Sequence, residues 1–201
     1  MARNAQITTP TTLKIVTLVE AKEHLRILHA DDDNYITNLI SVAQENINNY
    51  CNTLILETSV KQSGNNFQEI SQLLFSPIKN TGSIQNFVLK YLDSAGATQT
   101  LIASDYTLNK FISPPQITLN DGVTFPEFLK NANSVFCEYD CGETNATDVP
   151  LALKQAALIL IGQFYENRQV DVVGRSVGTI PMSAQYLMNP YRVETLGQLA
   201  C

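Results

Sequence analysis

The segment DVPLALKQAALILIGQFYENR, residues 148–168, sets the architecture that the rest of the sequence completes. Its apolar residues recur every three or four positions, which is the period of a helix that buries one side. Pro150 fits the first turn of such a helix, where a backbone N–H has no helical partner. Additional leucines and isoleucines widen the apolar face. We therefore predict a long helix, capped by Asp148 or Thr147, that is buried on more than one side.

Two shorter helices are predicted towards the N-terminus. Thr17 and Glu20 have the spacing of a capping box, which predicts a helix from there to about Leu25. The acidic run at residues 31–33 favours the start of a second helix, because aspartates stabilise the N-cap and the positive end of the helix dipole. Apolar residues then recur at helical spacing as far as Tyr50, so the second helix presents one apolar stripe.

Residues 53–140, between these helices, change to the two-residue period of β-strands. Prolines mark loops and edge positions in this region. The predicted fold class is α+β: a mainly α protein in which the N-terminal helices and the long late helix form a helical bundle, with a small antiparallel β region inserted. Short strands are predicted at 54–62, 69–75, 84–92, 98–102, 116–119 and 135–139.

The same patterns divide the chain into three parts. Residues 1–14 are expected to be a loose N-terminal arm, and residues 15–168 a helical core that contains the β-rich insertion. Residues 169–201 are expected to form a C-terminal arm with glycine hinges, in which Ser183 caps a short helix at 184–188.

Composition favours an assembly protein. Of 201 residues, 44% are hydrophobic and only 16% are charged, and a surface poor in Lys and Glu suits protein interfaces. The net charge is -6 and no two basic residues are adjacent, which disfavours binding to DNA by counterion release. No apolar run approaches the roughly 18 residues that span a bilayer, and the polar N-terminus has no signal-peptide core. We therefore expect cytoplasmic synthesis, no membrane contact and free thiols.

One pattern resembles a hydrolase motif. The segment GRSVG, residues 174–178, matches the nucleophile elbow of serine hydrolases. That motif requires a helix directly after the serine and a histidine later in the chain. Here Pro181 follows, and the histidines His24 and His29 lie far upstream. A serine hydrolase that uses Ser176 is therefore only a remote alternative.

Two other patterns could be taken for metal sites. Residues 31–33 are acidic, but the sixth and twelfth positions of a calcium loop that starts there are not the required Gly and Glu. Cys137 and Cys141 have the wrong spacing for a zinc knuckle, and on a strand they would share one face as buried thiols. We predict no catalytic residue, no metal and no cofactor.

Several segments, taken in chain order, resemble a known family. They are VTLVEAKEHLRI at 16–27, DDDNYI at 31–36, the helix that ends at Tyr50, VPLALKQAALILIGQFYENR at 149–168, and IP at 180–181 followed by LMNPYR at 187–192. Together they are similar to the head–tail connector (adaptor) proteins of long-tailed phages, in the gp6-like or gp8-like group. The centre of the chain matches only in its strand-rich character.

The resemblance implies a structural protein of the virion neck, made in the host bacterial cytoplasm. Its relatives form a ring, usually dodecameric, under the portal protein. The ring extends the DNA channel, lets DNA pass without sequence-specific binding, and meets a stopper or tail-completion protein. Another neck protein, either a head-completion stopper or a tail terminator, is the alternative, although those are more often β-barrels or small α/β proteins.

The resemblance also implies candidate contact residues. The C-terminal arm is expected to dock on the portal. The candidates there are Ile180, Pro181, Met182, Tyr186, Leu187, Met188, Pro190, Tyr191 and Arg192. At the end of the long helix, Tyr165, Glu166, Asn167 and Arg168 are either a solvated helix end or an inter-subunit contact, and both readings stay open. Gly162 inside that helix indicates close approach of another helix or subunit.

Overall fold

The structure is a computed structural model that describes residues 4–77, 83–110, 112–167, 171–172, 175–176 and 180–193. The chain divides into two compact units. We call them the β unit and the helical unit. The β unit comprises Met1–Thr11, Asn52–Glu143 and Val193–Cys201, and the helical unit comprises Thr12–Cys51 and Thr144–Arg192.

Five helices occur in the described part of the chain, and the third of them belongs to the β unit. They are α1 (Leu18–Leu25), α2 (Asp33–Cys51), α3 (Phe67–Ile70), α4 (Leu151–Glu166) and α5 (Met182–Met188). Short 3-10 turns cover Ala103–Asp105, Ala146–Asp148 and Asn189–Tyr191.

Eleven strands, several of them only two residues long, occur in the same ranges. They are β1 (Asn4–Thr9), β2 (Thr53–Leu54), β3 (Thr58–Gly64), β4 (Ser76–Pro77), β5 (Ser83–Leu92), β6 (Thr98–Thr100), β7 (Tyr106–Asn109), β8 (Gln116–Leu119), β9 (Val135–Gly142), β10 (Asp171–Val172) and β11 (Arg175–Ser176). The predicted α+β class is confirmed.

The helical unit begins with the predicted capping box. The backbone N–H of Glu20 donates to the Thr17 hydroxyl at 3.2 Å, and the backbone N–H of Thr17 donates to the Glu20 carboxylate at 2.6 Å. The Thr17 hydroxyl also donates to this carboxylate, at 2.8 Å. Because the charged carboxylate accepts from the Thr17 backbone and from the Thr17 hydroxyl, the backbone bond first and the hydroxyl bond second lower the pKa of Glu20. Two of the backbone donors that have no helical partner at the start of α1 are thereby paired, and the predicted helix from this point to Leu25 is confirmed.

Helices α1, α2 and α4 pack together as predicted. In α2 the buried residues are Ile36, Leu39, Ile40, Ala43, Gln44, Ile47 and Cys51. In α4 they are Leu153, Ala156, Ala157, Leu160 and Ile161. Gly162 faces α1, where a Cβ on it would lie 3.6 Å from Nε2 of His24. The close approach that this glycine indicated is therefore made by a helix of the same subunit.

The β unit is built on one antiparallel sheet with the strand order β1-β3-β9-β5-β6. Burial alternates along the central strands, so one face carries the core. Its buried members include Val60, Leu89 and Tyr139. The side chain of Gln62 is fully buried on this face, and it is satisfied by the backbone, donating to Gln72 O and accepting from Leu74 N, both at 2.8 Å.

The opposite face of the sheet is polar and paired. Lys90 Nζ lies 2.5 Å from one carboxylate oxygen of Glu138, and Lys61 Nζ lies 3.7 Å from the other. Asp140 accepts from the Ser59 hydroxyl and from the Asn86 amide, each at 2.6 Å. Each of these two sets of side-chain contacts runs from β3 across β9 to β5, so neighbouring strands are joined by side chains as well as by their backbones.

The structure corrects four sequence-based expectations. Part of the predicted loose arm, Asn4–Thr9, is strand β1 paired with β3. The predicted strand at 69–75 begins instead as helix α3, because Asn66 caps it by accepting from the Glu69 N–H at 3.0 Å. Strand β7 was not predicted. Neither Asp148, Thr147 nor Ser183 caps a helix: α4 follows Pro150 and α5 follows Pro181, with no side-chain cap.

The two glycines at positions 142 and 162 should respond oppositely to alanine. Gly142 has φ +115, and a Cβ there would lie 2.5 Å from the carbonyl of Leu56, so Gly142→Ala should cost several kcal/mol or prevent folding. Gly162→Ala should be neutral or stabilise by up to about 1 kcal/mol, because its Cβ would make only ordinary contacts. Urea unfolding of both variants measures this. Equal effects would contradict the account of Gly142.

Candidate functional site

Tyr165 joins the end of α4 to the start of α2. Its hydroxyl donates to the carboxylate of Asp32 at 2.5 Å, and its ring lies 6.0 Å from the ring of Tyr35. The hydroxyl of Tyr35 in turn reaches the carbonyl of Phe164 at 3.4 Å. These contacts hold the carboxyl end of α4 against the amino end of α2, where the dipole also favours a carboxylate.

The four candidates at the end of α4 therefore differ in whether they make contacts within the subunit or face solvent. Tyr165 is used within the subunit, and Asn167 donates from its side chain to the carbonyl of Gln163 at 3.0 Å. Glu166 is exposed. Arg168 lies outside the described residues. Among the described members of this group, Glu166 is thus the one whose side chain is presented to solvent, and an inter-subunit contact here stays a prediction.

Helix α5 has one buried side and one exposed side. Ala184 and Met188 are completely buried, whereas Met182 and Tyr186 are 70% and 69% exposed. Met182 and Tyr186 are four residues apart, so they lie next to each other on one side of the helix. The predicted arm is therefore ordered over α5, which packs on α4, and Met188 is one of its buried residues.

The turn after α5 is tied to the end of α2. The hydroxyl of Tyr50 donates to the side-chain oxygen of Asn189 at 2.6 Å, and the guanidinium of Arg192 lies 5.5 Å from the centroid of the Tyr50 ring. Cys51 donates weakly from its thiol to the carbonyl of Met188 at 3.7 Å. The end of α2 thus holds the candidate segment in place from one side.

The docking candidates lie together on one segment of the chain, but their side chains differ in exposure to solvent. Pro190 and Arg192 are exposed like Met182 and Tyr186, and Met188 is buried. The half-buried candidates are Ile180, Pro181, Leu187 and Tyr191. The sequence singled out this segment by resemblance. It did not reveal the contacts of Tyr165 with Asp32 or of Tyr50 with Asn189, because each pair is brought together only by folding.

The described cysteines are poor nucleophiles. Burial raises the pKa of the Cys51 thiol to about 11 and that of Cys137 to about 12, and burial raises the pKa of Cys141 as well. These thiols are free, and they carry their protons at neutral pH. Ser176 lies in the two-residue strand β11, and the next described helix begins only at Met182, which is not the geometry of a nucleophile elbow.

Within the described ranges, no group of three or more His, Cys, Asp or Glu side chains is arranged to hold a metal ion. None of the helices described is both long and apolar enough to cross a bilayer.

Removing the Tyr165 hydroxyl should loosen the helical unit. We expect Tyr165→Phe to lower the free energy of unfolding by about 1–2 kcal/mol, since a hydrogen bond to a half-buried carboxylate is lost while the ring contact with Tyr35 remains. Tyr186→Phe is the matched control, and its exposed hydroxyl predicts a change within about 0.5 kcal/mol. Urea unfolding compares the two, and an equal loss would contradict the role of Tyr165.

Known proteins resemble this chain in sequence over one segment and in fold over nearly its whole length. Residues 15–78 match the family of "Phage gp6-like head-tail connector protein". The fold is similar to a chain in the virion of a native gene transfer agent (GTA) particle, with a TM-score of 0.74 and 19% identity, covering 96% of this chain and 97% of that one. No curated protein matches the sequence significantly.

Two neck structures of GTA particles have the same fold. A chain in the neck of an empty particle, computed with C6 symmetry, is 20% identical with a TM-score of 0.69, and 98% of each chain is covered. A chain in the neck of a native particle, computed with C12 symmetry, is 19% identical with a TM-score of 0.63, again covering 98% of each. The resemblance drawn from the sequence is confirmed to this extent: residues 15–78 match the phage gp6-like head–tail connector family, and the fold is similar to that of chains in GTA particles.

Proposed function

We propose that this protein is the structural head–tail connector, or adaptor, of a tailed phage or phage-like particle. The observation that carries the proposal is that its whole length shares the fold of chains in GTA particle necks, while residues 15–78 match the gp6-like connector family. The protein acts by assembling: it forms a ring in the neck of the virion, under the portal, and joins the head to a stopper or tail-completion protein.

A ring of this kind needs no catalytic centre. The buried, protonated thiols and the position of Ser176 in a short strand support a structural role, and we propose that the protein is not an enzyme. The net charge of -6 with dispersed basic residues suits a channel wall, because phosphates are repelled and DNA passes without being held. Twelve copies is the number that the resemblance implies.

We further propose that the exposed side of α5 contacts the portal protein. Met182 and Tyr186 form an apolar pair that is already ordered, since Ala184 and Met188 fix the other side of the same helix. A preformed surface loses less conformational entropy on binding than a disordered arm would. The C-terminal segment would then act less as a flexible tether than as a rigid docking face around α5, with Pro190 and Arg192 at its margin.

The connector role is tested by counting copies in purified, DNA-filled particles that encode this chain. Quantitative mass spectrometry should find the protein there at close to one copy per portal subunit, because a ring stacked on the portal shares its symmetry. Absence from the particles would overturn the structural proposal.

The docking face is tested by removing its apolar side chains. Combining Met182→Ser with Tyr186→Ser should weaken binding to the purified cognate portal by about tenfold or more, since two apolar contacts are lost. Val42→Ser is the matched control, because Val42 is an apolar residue exposed on α2. Surface plasmon resonance measures both. Portal binding that is unchanged in the double variant would contradict docking through α5.

A further inference from the structure

The turn that follows α5 carries the margin of the proposed docking face. It is the three-residue 3-10 turn Asn189–Tyr191, and Pro190 and Arg192 on it are exposed. The N–H of Asn189 donates to the carbonyl of Gln185, and the N–H of Arg192 donates to the carbonyl of Asn189 at 3.2 Å. So short a turn gains little stability from its own hydrogen bonds, so its conformation depends on contacts with other parts of the chain.

Tyr50, in the last turn of α2, supplies two of those contacts. Its hydroxyl donates to the side-chain oxygen of Asn189 at 2.6 Å. The guanidinium of Arg192 lies 5.5 Å from the centroid of the Tyr50 ring, which is within the range of a cation–π contact. One side chain therefore holds the turn at its first residue through a hydroxyl, and directly after its last residue through a ring.

The two residues after Tyr50 hold the chain on either side of the turn. The thiol of Cys51 donates weakly to the carbonyl of Met188, the buried residue directly before the turn, at 3.7 Å. In the β unit, the side chain of Asn52 donates to the carbonyl of Val193 at 3.1 Å. Asn52 has the left-handed conformation, with φ 51, of a residue that ends a helix. Three consecutive residues thus contact both the turn and its two neighbours.

Arg192 is held by Tyr50 but keeps its charge exposed to solvent. Within the residues that the structure describes, Arg192 forms no ion pair, and its contact with the Tyr50 ring is the one that orients its guanidinium. A guanidinium has five N–H donors and no acceptor. These donors are therefore presented to a partner from a turn whose position Tyr50 sets.

We infer that Tyr50 is a positioning residue for docking on the portal: it fixes the turn and orients Arg192, while its own half-buried side chain stays within the subunit. The inference rests on the proposed docking of the α5 segment and names the residue of α2 that prepares this segment. A turn that is ordered beforehand loses less conformational entropy on binding, so a partner binds the held turn more tightly than a loose one.

Portal binding by Tyr50→Phe isolates the hydroxyl, because the ring remains next to Arg192. This variant should bind the purified cognate portal about three- to tenfold more weakly, as expected when one hydrogen bond that orders the turn is lost. Tyr35→Phe is the matched control: it removes a tyrosine hydroxyl bonded to the carbonyl of Phe164 at the opposite end of α2, and it should bind normally. Normal binding by Tyr50→Phe would overturn the inference.

A double-mutant cycle separates positioning from direct contact with the portal. Asn189→Ala removes the acceptor of the Tyr50 hydroxyl. In that background, Tyr50→Phe should change portal affinity by less than about 1.5-fold, because the bond that it removes is already absent. An effect of Tyr50→Phe that is as large in Asn189→Ala as in the natural chain would mean that the hydroxyl touches the portal, and the positioning role would be wrong.

Hydrogen exchange in the free, full-length chain gives a measurement that does not involve the portal. By NMR, the N–H of Arg192, which donates to the carbonyl of Asn189, should exchange about threefold faster or more in Tyr50→Phe. Its exchange should be unchanged in Tyr35→Phe. Equal exchange in the natural chain and in Tyr50→Phe would contradict the claim that Tyr50 holds the turn.

The docking proposal can fail separately. If Met182→Ser combined with Tyr186→Ser leaves portal binding intact while Tyr50→Phe weakens it, the exposed side of α5 is not the docking face, but Tyr50 still positions the turn. If that double variant binds weakly while Tyr50→Phe binds normally, the docking face stands and the positioning role of Tyr50 is overturned.

Discussion

The structure depends on the close approach of two backbone segments, residues 55–57 and 142–143, near the two ends of the long segment Asn52–Glu143 of the β unit. The N–H of Glu143 donates to the carbonyl of Ile55, and the N–H of Glu57 donates to the carbonyl of Glu143, both at 2.9 Å. Gly142 makes this possible, because any side chain there would overlap the carbonyl of Leu56. The incoming and outgoing segments are thus held side by side, so an insertion of about ninety residues begins and ends at one place.

This arrangement explains how a discontinuous chain forms two compact units. The chain returns to the β unit at Val193, and there the side chain of Asn52 donates to the carbonyl of Val193 at 3.1 Å. Each unit therefore combines segments that are far apart in sequence, and neither can be completed by local contacts alone. The central sheet in particular pairs β1 with β3 across the whole of α1 and α2, which is a contact of long sequence separation.

The sequence predicted an element well where contacts between neighbouring residues stabilise it, and poorly where the element depends on residues far away in the chain. Helix α1 was predicted from Thr17 and Glu20 because its cap is made by neighbouring residues. Strand β1 was missed because its residues are mostly polar and exposed, and only the sheet edge gives them a partner. The docking candidates were found by resemblance, but the burial of Met188 and the bond of Tyr165 to Asp32 arise from tertiary packing, for which a single sequence carries no periodic signal.

The buried thiols provide each unit with its own reporter of opening. Cys51 lies in the helical unit, and Cys137 and Cys141 lie in the β unit. Each is shielded from solvent and protonated, so a thiol reagent can modify it only when its surroundings transiently open. Modification rates at Cys51 and Cys137, followed by mass spectrometry in a Cys201→Ser chain, would therefore distinguish concerted from independent unfolding of the two units without any added label.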